Sequence, residues 1–232
     1  YFETNSMALA RLSEELMKRD WLDRFVQIGT SEMYGSVDHA TTEDEPIKPS
    51  SPYAASKVAF DMYLNSVHKF LDFPMNIIRP SNAYCSGQLL HRVIPKTIWC
   101  SLTGNKLPLH GGGKAEKSYL HARDLGRAIQ MVAENAPLGV TYNVGPAQPT
   151  SIREVVERTA GALGVSFDDI CEVTGDRLGQ DSRYWLDSTR IKNDLAWEPL
   201  IDWDEGLAEV VEWSNRYAKE LKEWPVEYVL RG

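Results

Sequence analysis

A chain of 232 residues, 43% of them hydrophobic, is long enough to bury a full core as one large domain or two small ones. Its formal charge of −8 argues against a nucleic-acid partner, because phosphate contacts need a basic face and no dense Lys/Arg block occurs. Cys85, Cys100 and Cys171 lack CxxC spacing, which speaks against disulfides or a metal site, and no apolar run nears the ~20 residues that span a bilayer, so the expectation is a soluble, cytoplasmic protein without a membrane segment.

In chain order, Leu9, Leu12 and Leu16 recur at helical spacing and predict a helix over about 6–19. Arg24 to Thr30 is short and apolar and reads as a strand. Pro46, Pro49 and Pro52 make 36–51 a loop, and helical periodicity returns over 53–71. Met75 to Arg79 reads as a buried strand closed by Pro80. This alternation of helix and strand predicts an α/β fold with a parallel sheet. Farther on, helices are predicted near 92–103, 124–135, 151–163 and 204–222, with strands near 107–109, 117–121 and 140–143. A soft boundary falls near Pro80, with later segments expected to cross back to the sheet.

Tyr53 and Lys57 stand four apart, on one face of the predicted helix. A cation beside a phenol favours the phenolate and makes tyrosine a usable base near neutral pH. Alone, such a pair is more often a surface coincidence. Thr30 and Glu32, however, follow a strand end, where open parallel sheets bind ligands. The plain reading of Thr30-Ser31-Glu32 is a loop whose hydroxyls cap a turn.

The strings Gly29-Thr-Ser-Glu-Met-Tyr-Gly35, Ser51-Pro-Tyr-Ala-Ala-Ser-Lys57, Arg79-Pro-Ser-Asn82-Ala-Tyr84, Leu107-Pro-Leu-His-Gly111, Tyr142-Asn-Val-Gly145 and Asp176-Arg-Leu-Gly179 follow one another over nearly the whole chain. In that order they resemble the extended short-chain dehydrogenase/reductases, and most of all the dTDP-glucose 4,6-dehydratase group. The resemblance implies a Rossmann-like parallel sheet with a smaller mixed α/β substrate domain, the first over residues 1–80 and the second mainly over 81–232. It also implies NAD rather than NADP, a nucleotide-diphosphate-sugar substrate and a homodimer built by the helices near 6–19 and 53–71. Tyr53 would take the proton of the sugar 4-hydroxyl, Lys57 would lower its pKa and hold the nicotinamide ribose, and Thr30 would bond the 4-oxygen. Glu32 would remove the C5 proton, with Ser31 beside it in the catalytic string. Pro80 would lie against the cofactor, and Asn82, Lys117, Asn143, Arg177 and Tyr184 would hold the substrate.

Several positions depart from that pattern. Ser31 stands where most dTDP-glucose dehydratases have an Asp that acts as an acid, and Thr-Ser-Glu is the string of GDP-mannose 4,6-dehydratases and UDP-glucuronate decarboxylases. Lys117 replaces an Arg fork with a point charge, Gln180 replaces a His, and Cys85-Ser86 replaces Gly-Pro. Dehydration, decarboxylation and 4-epimerisation therefore stay open, as does a non-catalytic nucleotide-sugar-binding fragment. The chain starts at Tyr1, and His110-Gly-Gly-Gly-Lys114 fits neither Gly-x-Gly-x-x-Gly nor a P-loop, so it reads as a tight turn. The pyrophosphate-binding half of the sheet is expected upstream of Tyr1.

Overall fold

The computed structural model describes residues 1–175 and 181–227. The chain divides into two compact units: Tyr1–Ala83, Ser118–Pro149 and Asp181–Pro199 form the first, and Tyr84–Lys117, Thr150–Gln180 and Leu200–Gly232 the second. In chain order the first unit begins with α1 (Ala8–Leu16), β1 (Phe25–Ile28), α2 (Pro52–Leu71) and β2 (Met75–Pro80), and β3 (Asn82–Tyr84) runs over the boundary after Ala83. There follow α3 (Val93–Thr103), β4 (Leu107–His110) and β5 (Glu116–Lys117) in the second unit, then β6 (Tyr119–His121), α4 (Ala122–Asn135) and β7 (Thr141–Val144) in the first. The second unit resumes with β8 (Thr150–Ser151), α5 (Ile152–Leu163), α6 (Phe167–Ile170) and β9 (Cys171–Thr174). The first then adds β10 (Arg183–Tyr184) and α7 (Thr189–Leu195), and the second ends with α8 (Trp203–Arg216) and α9 (Ala218–Glu223).

The first unit is organised by a parallel sheet of order β1-β2-β7. Strand β2 lies in the middle with Met75 to Arg79 all buried, as a parallel strand covered on both faces must be. Its alternate residues serve opposite cores. Met75 and Ile77 pack with Phe60, Leu64 and Val67 of α2 and with Leu9 and Leu16 of α1, whereas Ile78 packs with Leu120, Ala128, Val132, Tyr142 and Trp197. Among the described residues, no strand pairs with the outer edge of β1.

Local chemistry sets the helix ends. Ser51 Oγ accepts from the Ala54 amide at 3.1 Å, Pro52 occupies the first turn of α2, and Asp72 closes it in the left-handed region at φ 54°. In the second unit, Ser151 Oγ accepts from the Glu154 amide to start α5, and Asp202 accepts from the Glu205 amide to start α8. That unit also holds the parallel pair β4 and β9 and the antiparallel pair β5 and β8.

Three expectations are corrected. The first helix begins earlier, as a π-helical turn over Glu3–Met7 that runs into α1, and ends at Leu16. The predicted strand over 117–121 is broken at Ser118 into β5 and β6. The last predicted helix divides at Tyr217, whose φ of −111° and ψ of 22° leave the helical region. There the Tyr217 ring lies 6.1 Å from Trp213, which also meets Trp224 at 6.4 Å.

Candidate functional site

Strand β1 delivers Gly29 and Thr30 to its C-terminal end, where the Gly29 amide donates to Ile78 O at 2.7 Å. Thr30 is extended and buried, and its Oγ1 accepts from the Glu32 amide at 3.2 Å, capping a 3-10 turn over Ser31–Tyr34. The capping use of Thr30 weighed from the sequence is therefore present in the fold. Ser31 is buried, whereas Glu32 keeps partial exposure. Gly35 ends the turn at φ 70° and ψ −158°, a region open essentially to glycine alone, and a Cβ there would sit 2.6 Å from Lys48 O. The following loop is fastened to the turn by the Lys48 amide, which donates to Met33 O at 2.8 Å.

Helix α2 presents Tyr53 and Lys57 one turn apart, both half-buried. Lys57 Nζ donates to Ile28 O at 2.5 Å, which brings its ammonium to the strand end that carries Thr30. Burial lowers the Lys57 pKa, and the nearby Asp61 carboxylate opposes that shift. The Tyr53 ring packs edge-on against Tyr1 with centroids 5.7 Å apart. Ser56, on the next position but two, donates to Tyr53 O and accepts from Asn5 Nδ2 at 3.0 Å, so the N-terminal turn is tied to the helix bearing the pair.

Pro80 ends β2 in register with Val144, and the Asn82 amide donates to Ser118 O at 3.0 Å while its side chain is partly exposed. Tyr184 is buried, and its hydroxyl donates to Asp181 Oδ2 at 2.6 Å. Burial, the Asp181 bond and the charge of Glu32 raise its pKa, so it stays a neutral phenol. Asn143 is fully buried on β7, with Oδ1 accepting from Tyr34 at 2.9 Å and Nδ2 donating to Thr41 O at 2.8 Å, which makes it a brace of the sheet as well. Lys117 belongs to the second unit, on β5 opposite Thr150. Arg177 lies outside the described residues, as does Gln180. Within the second unit the His110 glycines form a 3-10 turn over Gly111–Gly113.

Sequence reasoning assigned no role to three buried polar residues beneath this site. Arg79 Nη1 donates to Tyr34 OH at 2.8 Å, and its Nε stands 3.6 Å from Asp61 Oδ2. Asp61 is 0% exposed, and burial lifts its carboxyl to about 6 although Arg79 and Lys57 pull it down. The available signal was spacing: Asp61 follows Lys57 by four on the face that already carries Tyr53.

Comparison with known proteins accords with these strings. The sequence profile of the GDP-mannose 4,6-dehydratase family matches residues 1–210. A dTDP-glucose 4,6-dehydratase of Streptomyces griseus is 37% identical over 194 residues, covering 83% of this chain and 59% of that protein. The low-salt glycan biosynthesis protein Agl12 of Haloferax volcanii is 34% identical over 214 residues, covering 92% of this chain and 68% of its own length. Among solved structures, the dTDP-glucose 4,6-dehydratase DesIV of Streptomyces venezuelae, crystallised with NAD, superposes with a TM-score of 0.89 at 31% identity, over 97% of this chain and 68% of that one. The chain thus spans about three fifths to two thirds of the length of these three relatives.

Proposed function

The chain belongs to the GDP-mannose 4,6-dehydratase family, and on that premise we propose that it carries the proton-transfer and sugar-binding part of an NAD-dependent nucleotide-sugar 4,6-dehydratase. The observation that carries the reading is the bond from Lys57 Nζ to Ile28 O, which sets the ammonium of the Tyr53/Lys57 helix at the end of β1, next to the Thr30–Glu32 turn. An ammonium has three donors, and with one used on Ile28 O two remain for ribose hydroxyls, so the residues present suit the nicotinamide end of the cofactor. NAD, when bound, accepts hydride from C4 of the sugar and returns it at C6.

The chain's own residues divide the proton work. Tyr53 Oη takes the proton of the sugar 4-hydroxyl, with Lys57 favouring its phenolate, and Thr30 Oγ1 orients the 4-oxygen. Once C4 is a carbonyl, the C5 proton is acidified and Glu32 removes it; the carboxylic acid so formed returns that proton to the 6-hydroxyl as the C6–O bond breaks, and the group departs as water. Ser31 cannot act as a carboxylic acid, and it is this residue that keeps decarboxylation by the same first step as a second reading. Asn82, Lys117, Asn143, Arg177 and Tyr184 belong to the proposal as substrate contacts. A homodimer formed through α1 and α2 and a cytoplasmic location also belong to it, the latter supported by three free cysteines. Incubation of the complete protein with nucleotide-sugars tests the reading by product mass. Loss of water is expected; loss of carbon dioxide would favour decarboxylation, an unchanged mass epimerisation, and no turnover of any candidate a non-catalytic binder.

A further inference from the structure

Beneath the Tyr53/Lys57 helix, four buried polar groups from four segments meet. Asp61, from α2, is 0% exposed and has no hydrogen bond of ordinary length to either carboxylate oxygen. Arg79, from β2, is 5% exposed, and its Nε likewise lacks a hydrogen bond although it lies 3.6 Å from Asp61 Oδ2. At its other end, Nη1 donates to Tyr34 OH at 2.8 Å and to Glu43 O at 3.2 Å. Tyr34 in turn donates to Asn143 at 2.9 Å. Gly29 completes the cradle: a Cβ on it would stand 2.9 Å from Asp61 Oδ2 and 3.3 Å from Arg79 Cγ, so the absence of a side chain there is what lets the carboxylate lie against the strand.

A buried charge without full hydrogen bonding is costly, and apolar residues of similar size usually serve a core better. The arrangement therefore calls for a use. We propose that Asp61 is a positioning residue for the site, its carboxylate serving as the counter-charge that keeps Lys57 an ammonium one turn from Tyr53. Through Arg79 and Tyr34 the same carboxylate braces α2 against the turn that bears Thr30 and Glu32. This rests on the reading of Tyr53 and Lys57 as the proton-transfer pair. Asp61 follows Lys57 by four residues, one turn along the same face of α2, and among the described residues the groups that act on its charge are Arg79 from β2, Lys57 itself and Gln27 from β1, while the Asp61 charge is what opposes the effect of burial on Lys57. Burial alone drives Lys57 towards the neutral amine, which cannot favour a phenolate.

The test reads Lys57 directly, without turnover. Acylation by acetic anhydride is followed at Lys57 by peptide mass spectrometry across a range of pH, in the complete protein and in Asp61→Asn, each curve normalised to its alkaline plateau. Removing the counter-charge is expected to lower the Lys57 midpoint by about one pH unit, making its labelling about tenfold faster at a fixed pH below the midpoint. The exposed Lys18 and Lys106 should not change. An unchanged Lys57 midpoint in a folded Asp61→Asn protein overturns the proposal. Should circular dichroism show that variant unfolded, Gly29→Ala takes its place, because the new Cβ displaces the carboxylate while keeping its charge; a fall in the midpoint is again expected, and none overturns the proposal. The alkaline limb of the turnover profile, measured alongside, should move with the labelling midpoint. If labelling shifts and turnover does not, the counter-charge stands and the catalytic reading of Lys57 falls.

Discussion

At the scale of single residues, the proposed chemistry divides between two groups that fail differently when removed. Tyr53→Phe keeps the ring that packs against Tyr1 and deletes only the hydroxyl, so substrate affinity should hold while turnover of the complete enzyme falls by about a hundred- to ten-thousand-fold. A variant that retained a tenth of the parent rate would remove Tyr53 from the proton step. Glu32→Gln acts later, after C4 is oxidised. Its expected signature is lost dehydration together with accumulating absorbance of the reduced nicotinamide, recorded in a single-turnover mixture. Should the variant show neither that absorbance nor isotope exchange at C4, Glu32 is required before the C5 step. The amide preserves the size of the side chain, and the cap depends on the Glu32 backbone, so the turn itself should survive.

At the scale of elements, the turn after β1 depends on one backbone position. Gly35 holds φ 70° and ψ −158° against Lys48 O, and Gly35→Ala adds both strain and a clash. A loss of about 1–3 kcal/mol in unfolding free energy is expected, measured by denaturant titration, with a fall in turnover because Glu32 is displaced. An alanine variant as stable as the parent would show that the turn relaxes without cost. Helix α2 is better insured, with the Ser51 cap, Pro52 in the first turn and the left-handed Asp72 at its end each fixing a boundary.

At the scale of the whole molecule, the surface of α2 bears on the proposed dimer. Ala54 and Phe60 of this helix are buried inside the chain and so take no part in such a contact. Their neighbours Ala55, Ala59, Met62 and Ser66 recur at helical spacing on the opposite face, and Met62 is 62% exposed. On α1, Leu12 is 47% exposed. An isologous contact along such a stripe buries it twice. Met62→Lys should weaken self-association at least about tenfold, roughly 1.4 kcal/mol, as read by sedimentation at micromolar concentration. A monomeric parent protein, or a variant that associates equally well, would take the dimer away from this face.

By itself the sequence determined the long elements and the class of fold. The stretch Pro52–Leu71 carries its cap, its periodicity and its stop within its own residues, and the β2 segment lies between Pro74 and Pro80 and the β7 segment between Gly139 and Gly145, so no distant partner was needed to read them. The motif strings likewise carried the family, and the four-residue spacing of Tyr53 and Lys57 is a helical property. Only the tertiary structure decided the short strands, because Thr150–Ser151 or Arg183–Tyr184 has no period and becomes strand only through its neighbour. It also decided which polar residues face inward. Asn143, expected as a substrate contact, also braces the sheet because Tyr34, 109 positions away, donates to its side-chain oxygen. Asp61 looked like an ordinary helix acid and became a buried counter-charge because Arg79 and the bare backbone of Gly29 meet it from two different strands. Local sequence records spacing and propensity, whereas burial of a charge is set by groups that only folding brings within a few ångströms.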